Sequence, residues 1–160
     1  MNRLFISGVF SLVLLDLFVK YAIEFFGWGI KPTSITHFLI INKTYNKGLL
    51  FGIAHSDDLL INYSIIFLMT IVILALIFYI SKFLNSKNNL SNLSKISWML
   101  LLGGGIANYV DRIIDNKVTD YVILHYDELY FPGIFNIADI FISVAFIILI
   151  IDIFISNEKE

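Results

Sequence analysis

Apolar residues fill four long stretches of this chain, at 4–26, 59–80, 96–114 and 134–155. Each is close to the roughly 20 residues an α-helix needs to cross a bilayer. The pattern therefore predicts four membrane spans within a single domain covering residues 1–160. The second stretch is the cleanest, with no charge between its ends. The third is the weakest, because Gly103, Gly104 and Gly105 lower its helix propensity and its outer turn is polar. The same glycines allow close backbone approach within a bundle. Residues 35–53, ITHFLIINKTYNKGLLFGI, follow another pattern: β-branched and aromatic residues, with Asn42-Lys43 and Asn46-Lys47-Gly48 as turn signals. They predict a small antiparallel sheet on the outer surface, within a β-cradle of about 27–57. The expected fold is a four-transmembrane-helix bundle with an extracytoplasmic antiparallel β-cradle and an outer loop.

Composition agrees. The chain is 58 % hydrophobic and 15 % charged, with a mean hydropathy of +0.83. Its 15 Phe and 8 Tyr suit aromatic side chains at membrane interfaces. A net charge of -2, from 11 basic and 13 acidic residues, argues against a nucleic-acid partner, which asks for a basic face. Cysteine is absent, which removes thiol nucleophiles and disulfides. The first stretch begins near Met1 and lacks a small-residue cleavage site, so it is expected to be a retained helix.

Lysine and arginine in short loops set direction. Residues 81–95 hold Lys82, Lys87 and Lys95 and no acid, and Arg3 lies near the amino end. Both termini and that loop are expected in the cytoplasm. Residues 115–133, with Lys117 against Asp115, Asp120, Asp127 and Glu128, are expected outside, as is the mixed segment 27–58. This orientation gathers polar residues from distant parts of the chain at one level. Asp16 and Lys20 fall in the outer half of helix one, and Asn108, Asp111 and Arg112 in the last turns of helix three. Asp120 lies just beyond helix three, and Asn136 and Asp139 begin helix four. Charge in hydrocarbon costs roughly 2.5–3.5 kcal/mol on insertion scales, so such residues face a polar interior and mark function.

Asp120 and Asp139 are the candidate chemical pair. Two carboxylates brought close share a proton and titrate as a unit. The ionised member takes a proton from water, and the protonated one donates to a scissile carbonyl. The alternative is structural, with Asp139 capping helix four and Asp120 capping a turn. Asp16 and Lys20 stand i,i+4 with the acid first, the favourable order. Asp111 and Arg112 are adjacent and must find partners on other elements. Asn108 and Asn136 each stand about a turn from an acid and can orient it; structural glue is the alternative for all of these. His37, His55 and His125 lack ligand spacing, so no metal or cofactor is expected, although several aspartates at one level also suit a hard cation. Asp57-Asp58 reads as a turn or cap before helix two, and Asp152 as lying near the cytoplasmic interface. A small channel or transporter, and a non-catalytic scaffold or receptor, are the competing classes. The one-sided position of the cluster and the apolar second span weigh against the channel.

These residues fall into motifs that resemble lipoprotein signal peptidase, the type II signal peptidase of bacteria, over residues 4–155. D-x-x-x-K is Asp16 and Lys20. N-x-G-x-x-F-G is Asn46, Gly48, Phe51 and Gly52. Gly104, Asn108, Asp111 and Arg112 match G-G-x-x-x-N-x-x-D-R. V-x-D-[FY] is Val118, Asp120 and Tyr121, and F-N-I-A-D runs from Phe135 to Asp139. The resemblance implies an aspartic endopeptidase with Asp120 and Asp139 as its catalytic dyad. It implies cleavage of diacylglyceryl-modified prolipoproteins before the lipidated cysteine, inhibition by globomycin, and residence in the bacterial cytoplasmic membrane among lipid. It also implies functional or site-shaping roles for Asp16, Lys20, Asn46, Gly48, Asn108, Asp111, Arg112, Asn136 and Ala138. A monomer is expected. Leu17, Val19, Tyr45, Leu49, Leu50, Gly133 and Ile140 depart from the usual pattern, which bears on substrate preference and loop geometry rather than on the reaction.

Overall fold

The computed structural model describes residues 3–48, 58–84 and 91–157. Leu49, Leu50, Phe51, Gly52, His55, Asp57 and Lys87 lie outside the described residues. Four helices, α1 (Arg3–Phe25), α2 (Leu59–Leu84), α3 (Asn92–Asp115) and α4 (Ile137–Asn157), accompany four strands: β1 (Thr33–Ser34), β2 (Leu39–Asn46), β3 (Val118–Tyr126) and β4 (Leu129–Tyr130).

Among the described residues, three helices are long and apolar enough to cross a membrane: Arg3–Phe25, Leu59–Phe83 and Ile137–Ser156. The third predicted span, α3, is long enough but not apolar enough, because Lys95, Asn108, Asp111, Arg112 and three glycines interrupt it. Packing explains how this is tolerated. α3 is the central helix, set against α1, α2 and α4, and it buries Ser97, Gly103, Gly104, Asn108 and Arg112 among its neighbours. The bundle inverts the soluble pattern. Phe18, Phe67, Phe78 and Phe154 point outwards, while Asp16 and Asn136 are sealed inside.

The glycines of α3 differ in role. A Cβ on Gly104 would stand 2.5 Å from the Ala138 carbonyl oxygen, and one on Gly103 2.8 Å from Leu12. These two let α4 and α1 approach. Gly105 faces open space, so close approach does not account for it.

Ser91 caps the start of α3 by accepting from the Ser94 N–H at 2.9 Å. Asn116 ends the helix in the left-handed region (φ 55°), which asparagine tolerates better than most residues. β3 begins two residues later, so this turn returns the chain over the last turn of α3.

The sheet corrects one expectation. The described part of the stretch 35–53, residues 35–48, holds one strand, β2, rather than a sheet of its own. Strand order is β1-β2-β3-β4, all antiparallel, and β2 pairs with β3 from the later loop. Asn42-Lys43 is not a turn. It lies inside β2, where the register shifts between Ile41 and Thr44. There the Lys43 N–H donates to the Gly29 carbonyl at 2.8 Å. Gly29 (φ +75°) is required at that crossing, since a Cβ would come within 2.6 Å of the Lys43 nitrogen. Beyond the bulge, Thr44 stands opposite Asp120 and Asn46 opposite Val118.

Candidate active site

Asp120 and Asp139 reach one buried polar cluster from different elements. Asp120 is on β3, and Asn46 is its diagonal neighbour on the same sheet face. Asn46 Nδ2 donates to Asp120 Oδ2 at 3.0 Å, and Asn136 Nδ2 donates to Oδ1 at 2.7 Å. Asp139 stands in the first turn of α4, where it forms a capping box with Asn136. Its N–H donates to Asn136 Oδ1 at 3.0 Å, and the Asn136 N–H donates to Asp139 Oδ2 at 3.2 Å. Asn108 Nδ2 donates to the other oxygen, Oδ1, at 2.9 Å. Each carboxylate thus receives two N–H groups. Capping and a place in the cluster coexist at Asp139.

Lys20 organises the opposite side. Its ammonium forms ion pairs with Asp16 Oδ2 at 2.6 Å and Asp111 Oδ2 at 2.7 Å, and donates to Asn108 Oδ1 at 2.8 Å. Asp16 also accepts from the Ala138 N–H at 2.8 Å, so a side chain from α1 satisfies a free donor of the first turn of α4. Ala138 is fully buried, and its backbone carbonyl packs against Gly104. Arg112 donates from Nη2 to the Gly48 carbonyl, which ties α3 to the chain just after β2. The Gly48 N–H donates back to Asn46 Oδ1 at 2.9 Å. Asp16, Lys20, Asn46, Gly48, Asn108, Asp111, Arg112, Asn136 and Ala138 therefore all lie in or against the cluster that holds Asp120 and Asp139.

Burial pushes the Asp120 carboxyl up to about 6, and the negative charge of Asp139 adds to the rise. The amides of Asn46 and Asn136 act the other way, because they favour the ionised form. Burial also pushes the Tyr121 hydroxyl up, which keeps its proton in place.

Cavities lined by described residues lie near the cluster. An apolar one of about 770 Å³ lies between α1 and the sheet, lined by Val19, Ile23, Trp28, Leu39, Ile41 and Tyr121 among others. A polar cleft of about 460 Å³ opens between α1 and α3, with Lys20 and Asp111 in its wall together with Glu24, Tyr45 and Lys117. Lys43 bridges to Glu24 at 3.0 Å, Tyr45 donates to the same carboxylate at 3.0 Å, and Lys117 sits 3.5 Å above the Tyr45 ring. Sequence reasoning missed this rim. Tyr45 entered the sequence analysis only as a departure from the family pattern. It also missed the partner of Asp152, which accepts from Ser91 at 2.7 Å and from Ser94 and so fastens α4 to the first turn of α3. Asp58 accepts from the Leu60 N–H at 2.8 Å at the start of α2. His37 is exposed, and His125 stacks on Tyr130.

Residues 9–155 match the family model described as Signal peptidase (SPase) II. The chain belongs to this family. Among relatives, the lipoprotein signal peptidase of Clostridium tetani (strain Massachusetts / E88) is 35 % identical over 140 residues, 83 % of this chain and 85 % of that protein. The lipoprotein signal peptidase of Pelagibacter ubique (strain HTCC1062) is 34 % identical over 126 residues, 78 % of this chain and 71 % of the relative. The fold is similar to that of a bacterial membrane enzyme solved by the in meso method at 2.3 Å resolution. The TM-score is 0.80 at 23 % identity, with 98 % of this chain and 90 % of the other covered. A second bacterial membrane enzyme, solved at 1.9 Å by the same method, gives a TM-score of 0.74. As a member of the signal peptidase II family, the chain is a bacterial multi-pass membrane protein with a peptidase's hydrolytic function.

Proposed function

We propose that this chain is an aspartic endopeptidase that cleaves diacylglyceryl-modified prolipoproteins immediately before the lipidated cysteine, with Asp120 and Asp139 as its dyad. The observation that carries the reading is the pair of carboxylates, Asp120 buried and Asp139 half-buried, each accepting two N–H groups from a scaffold of three asparagines. The amides occupy one lone pair on each oxygen and leave others for a water and for a shared proton. The ionised carboxylate takes a proton from water as its oxygen attacks the scissile carbonyl carbon. The protonated carboxyl gives its proton to the carbonyl oxygen. Collapse of the resulting diol breaks the C–N bond, and the leaving nitrogen takes up a proton. The products are a signal peptide with a new carboxyl end and a lipoprotein with a free cysteine amino group.

In this reading α3 is the fourth span, both termini face the cytoplasm and the dyad lies near the outer surface. The protein works as a monomer among lipid, and globomycin-type peptides compete for the site. The apolar cavity beside Tyr121 suits an apolar signal segment. The test is incubation of the purified protein with a diacylglyceryl-modified proprotein and with its unmodified form. Only the modified form is expected to be cut, and both Asp120→Asn and Asp139→Asn are expected to abolish cutting. No cleavage beside an active control enzyme rejects the reading.

A further inference from the structure

Asn108 has two ends with opposite chemistry, and only one of them suits Asp139. Its Nδ2 donates to Asp139 Oδ1 at 2.9 Å. Its Oδ1 accepts from Lys20 at 2.8 Å and from Asn136 at 3.2 Å. An asparagine turned over by half a rotation would set its oxygen against the carboxylate. A lysine ammonium donates only and accepts nothing, so Lys20 tolerates just one of the two orientations. The other two asparagines are held the same way by backbone donors: Asn46 by the Gly48 N–H and Asn136 by the Asp139 N–H. Asn108 takes its lock from side chains, with Lys20 the shorter contact and Asn136 the longer, and Lys20 lines the polar cleft and not the apolar cavity.

We propose that Lys20 is a positioning residue that acts through Asn108. Its ammonium, buried between Asp16, Asp111 and Asn108, holds the amide so that N–H, and not oxygen, meets Asp139, while the Lys20 side chain forms part of the cleft wall. This inference rests on the Asp120/Asp139 reading. Ion pairs with Asp16 and Asp111 hold the Lys20 ammonium beside Asn108.

The test uses the full chain in detergent with a diacylglyceryl-modified proprotein. The native chain has no cysteine, so Lys20→Cys carries a single thiol. Turnover is expected to fall on the order of 100-fold, the effect of a misplaced group, with KM little changed. Alkylation with 2-bromoethylamine rebuilds an ammonium of lysine length and is expected to restore most of kcat. Iodoacetamide, which adds a neutral amide, is not. In an Asn108→Ala background neither Lys20→Cys nor its aminoethylation is expected to change kcat further. Equal fold-changes in both backgrounds, or equal restoration by iodoacetamide, overturn the proposal. If the thiol at this buried position resists both reagents, the Lys20→Cys, Asn108→Ala double variant decides, and equal losses in the two backgrounds overturn the proposal. If Lys20→Cys does not fold, Asn108→Asp decides with Lys20 intact. Its carboxylate still accepts from Lys20 but cannot donate to Asp139, so full turnover in that variant overturns the coupling. Asp139→Asn separates the two levels. Turnover surviving there sinks the dyad itself, whereas independent losses beside an inactive Asp139→Asn sink only the role of Lys20.

Discussion

Replacing Asp120 with asparagine removes a buried charge and introduces a misplaced donor, and the two effects depend differently on pH. A carboxyl raised from 3.8 to about 6 by burial is a folded-state cost once it ionises. At about 1.4 kcal/mol per tenfold change in proton affinity, that cost is about 3 kcal/mol above pH 6. The sign follows from proton counting. Between 3.8 and about 6 the folded chain keeps a proton that the unfolded chain has lost, so stability falls as pH rises through that window. Asp120→Asn removes this cost. Against it, both Asp120 oxygens accept from amide nitrogens, so one of them now meets an N–H with an N–H. Neither neighbour can turn over, because Asn46 Oδ1 holds the Gly48 N–H and Asn136 Oδ1 holds the Asp139 N–H. The conflict is expected to fall on the longer bond to Asn46, at about 1–3 kcal/mol. Thermal unfolding in a neutral detergent at about pH 4 and about pH 8 reads the balance. The variant is expected to be less stable than the native chain at the lower pH, and equal to it or up to about 2 kcal/mol more stable at the higher. Proprotein cleavage is expected to vanish at both. A stability loss of the same size at both pH values refutes the buried-charge reasoning, and surviving cleavage refutes the role of Asp120.

Asp139→Asn is expected to lower the Asp120 titration below about 6 while leaving it above 3.8, since burial is the larger cause and the Asp139 charge the smaller. Carbon-13 NMR of labelled aspartate measures it, and an unmoved midpoint denies the coupling. Gly104→Ala is expected to force α3 from α4 and reduce both melting temperature and turnover. Gly105→Ala, with open space at its Cβ, is expected to be neutral or slightly stabilising. Equal effects at the two positions contradict the packing account. Asp152→Ala, which leaves the Ser91 and Ser94 hydroxyls without their acceptor, is expected to cost about 1–3 kcal/mol in unfolding and leave kcat unchanged.

The helices were legible because hydrophobic length alone marks a span, and observed and expected ends differ by a few residues. α3 is the instructive exception. Its polar residues weaken a hydropathy signal because they face three other helices instead of lipid. The sheet was legible only as β-type sequence. Alternation and β-branching do not name a partner strand, so the pairing of residues 39–46 with 118–126 was hidden, and a bulge at Asn42-Lys43 looked like a turn. Orientation placed the polar residues of the cluster at one level, but not their contacts. Which atom of Asn108 meets Lys20 is a matter of tertiary distance. The Asp152 clamp was hidden for a related reason, since a lone acid in an apolar run does not reveal two serines some 60 positions away.

The i,i+4 pairing of Asp16 and Lys20 has a consequence for how the protein is made. At the ribosome α1 precedes the other partners of both residues: Asn108 and Asp111, which meet Lys20, are synthesised some 90 residues later, and Ala138, whose N–H meets Asp16, later still. During that interval the two opposite charges neutralise each other within one turn, at 2.6 Å. The first helix can therefore enter the bilayer as an ion pair with no net charge in its middle, and await the rest of its site.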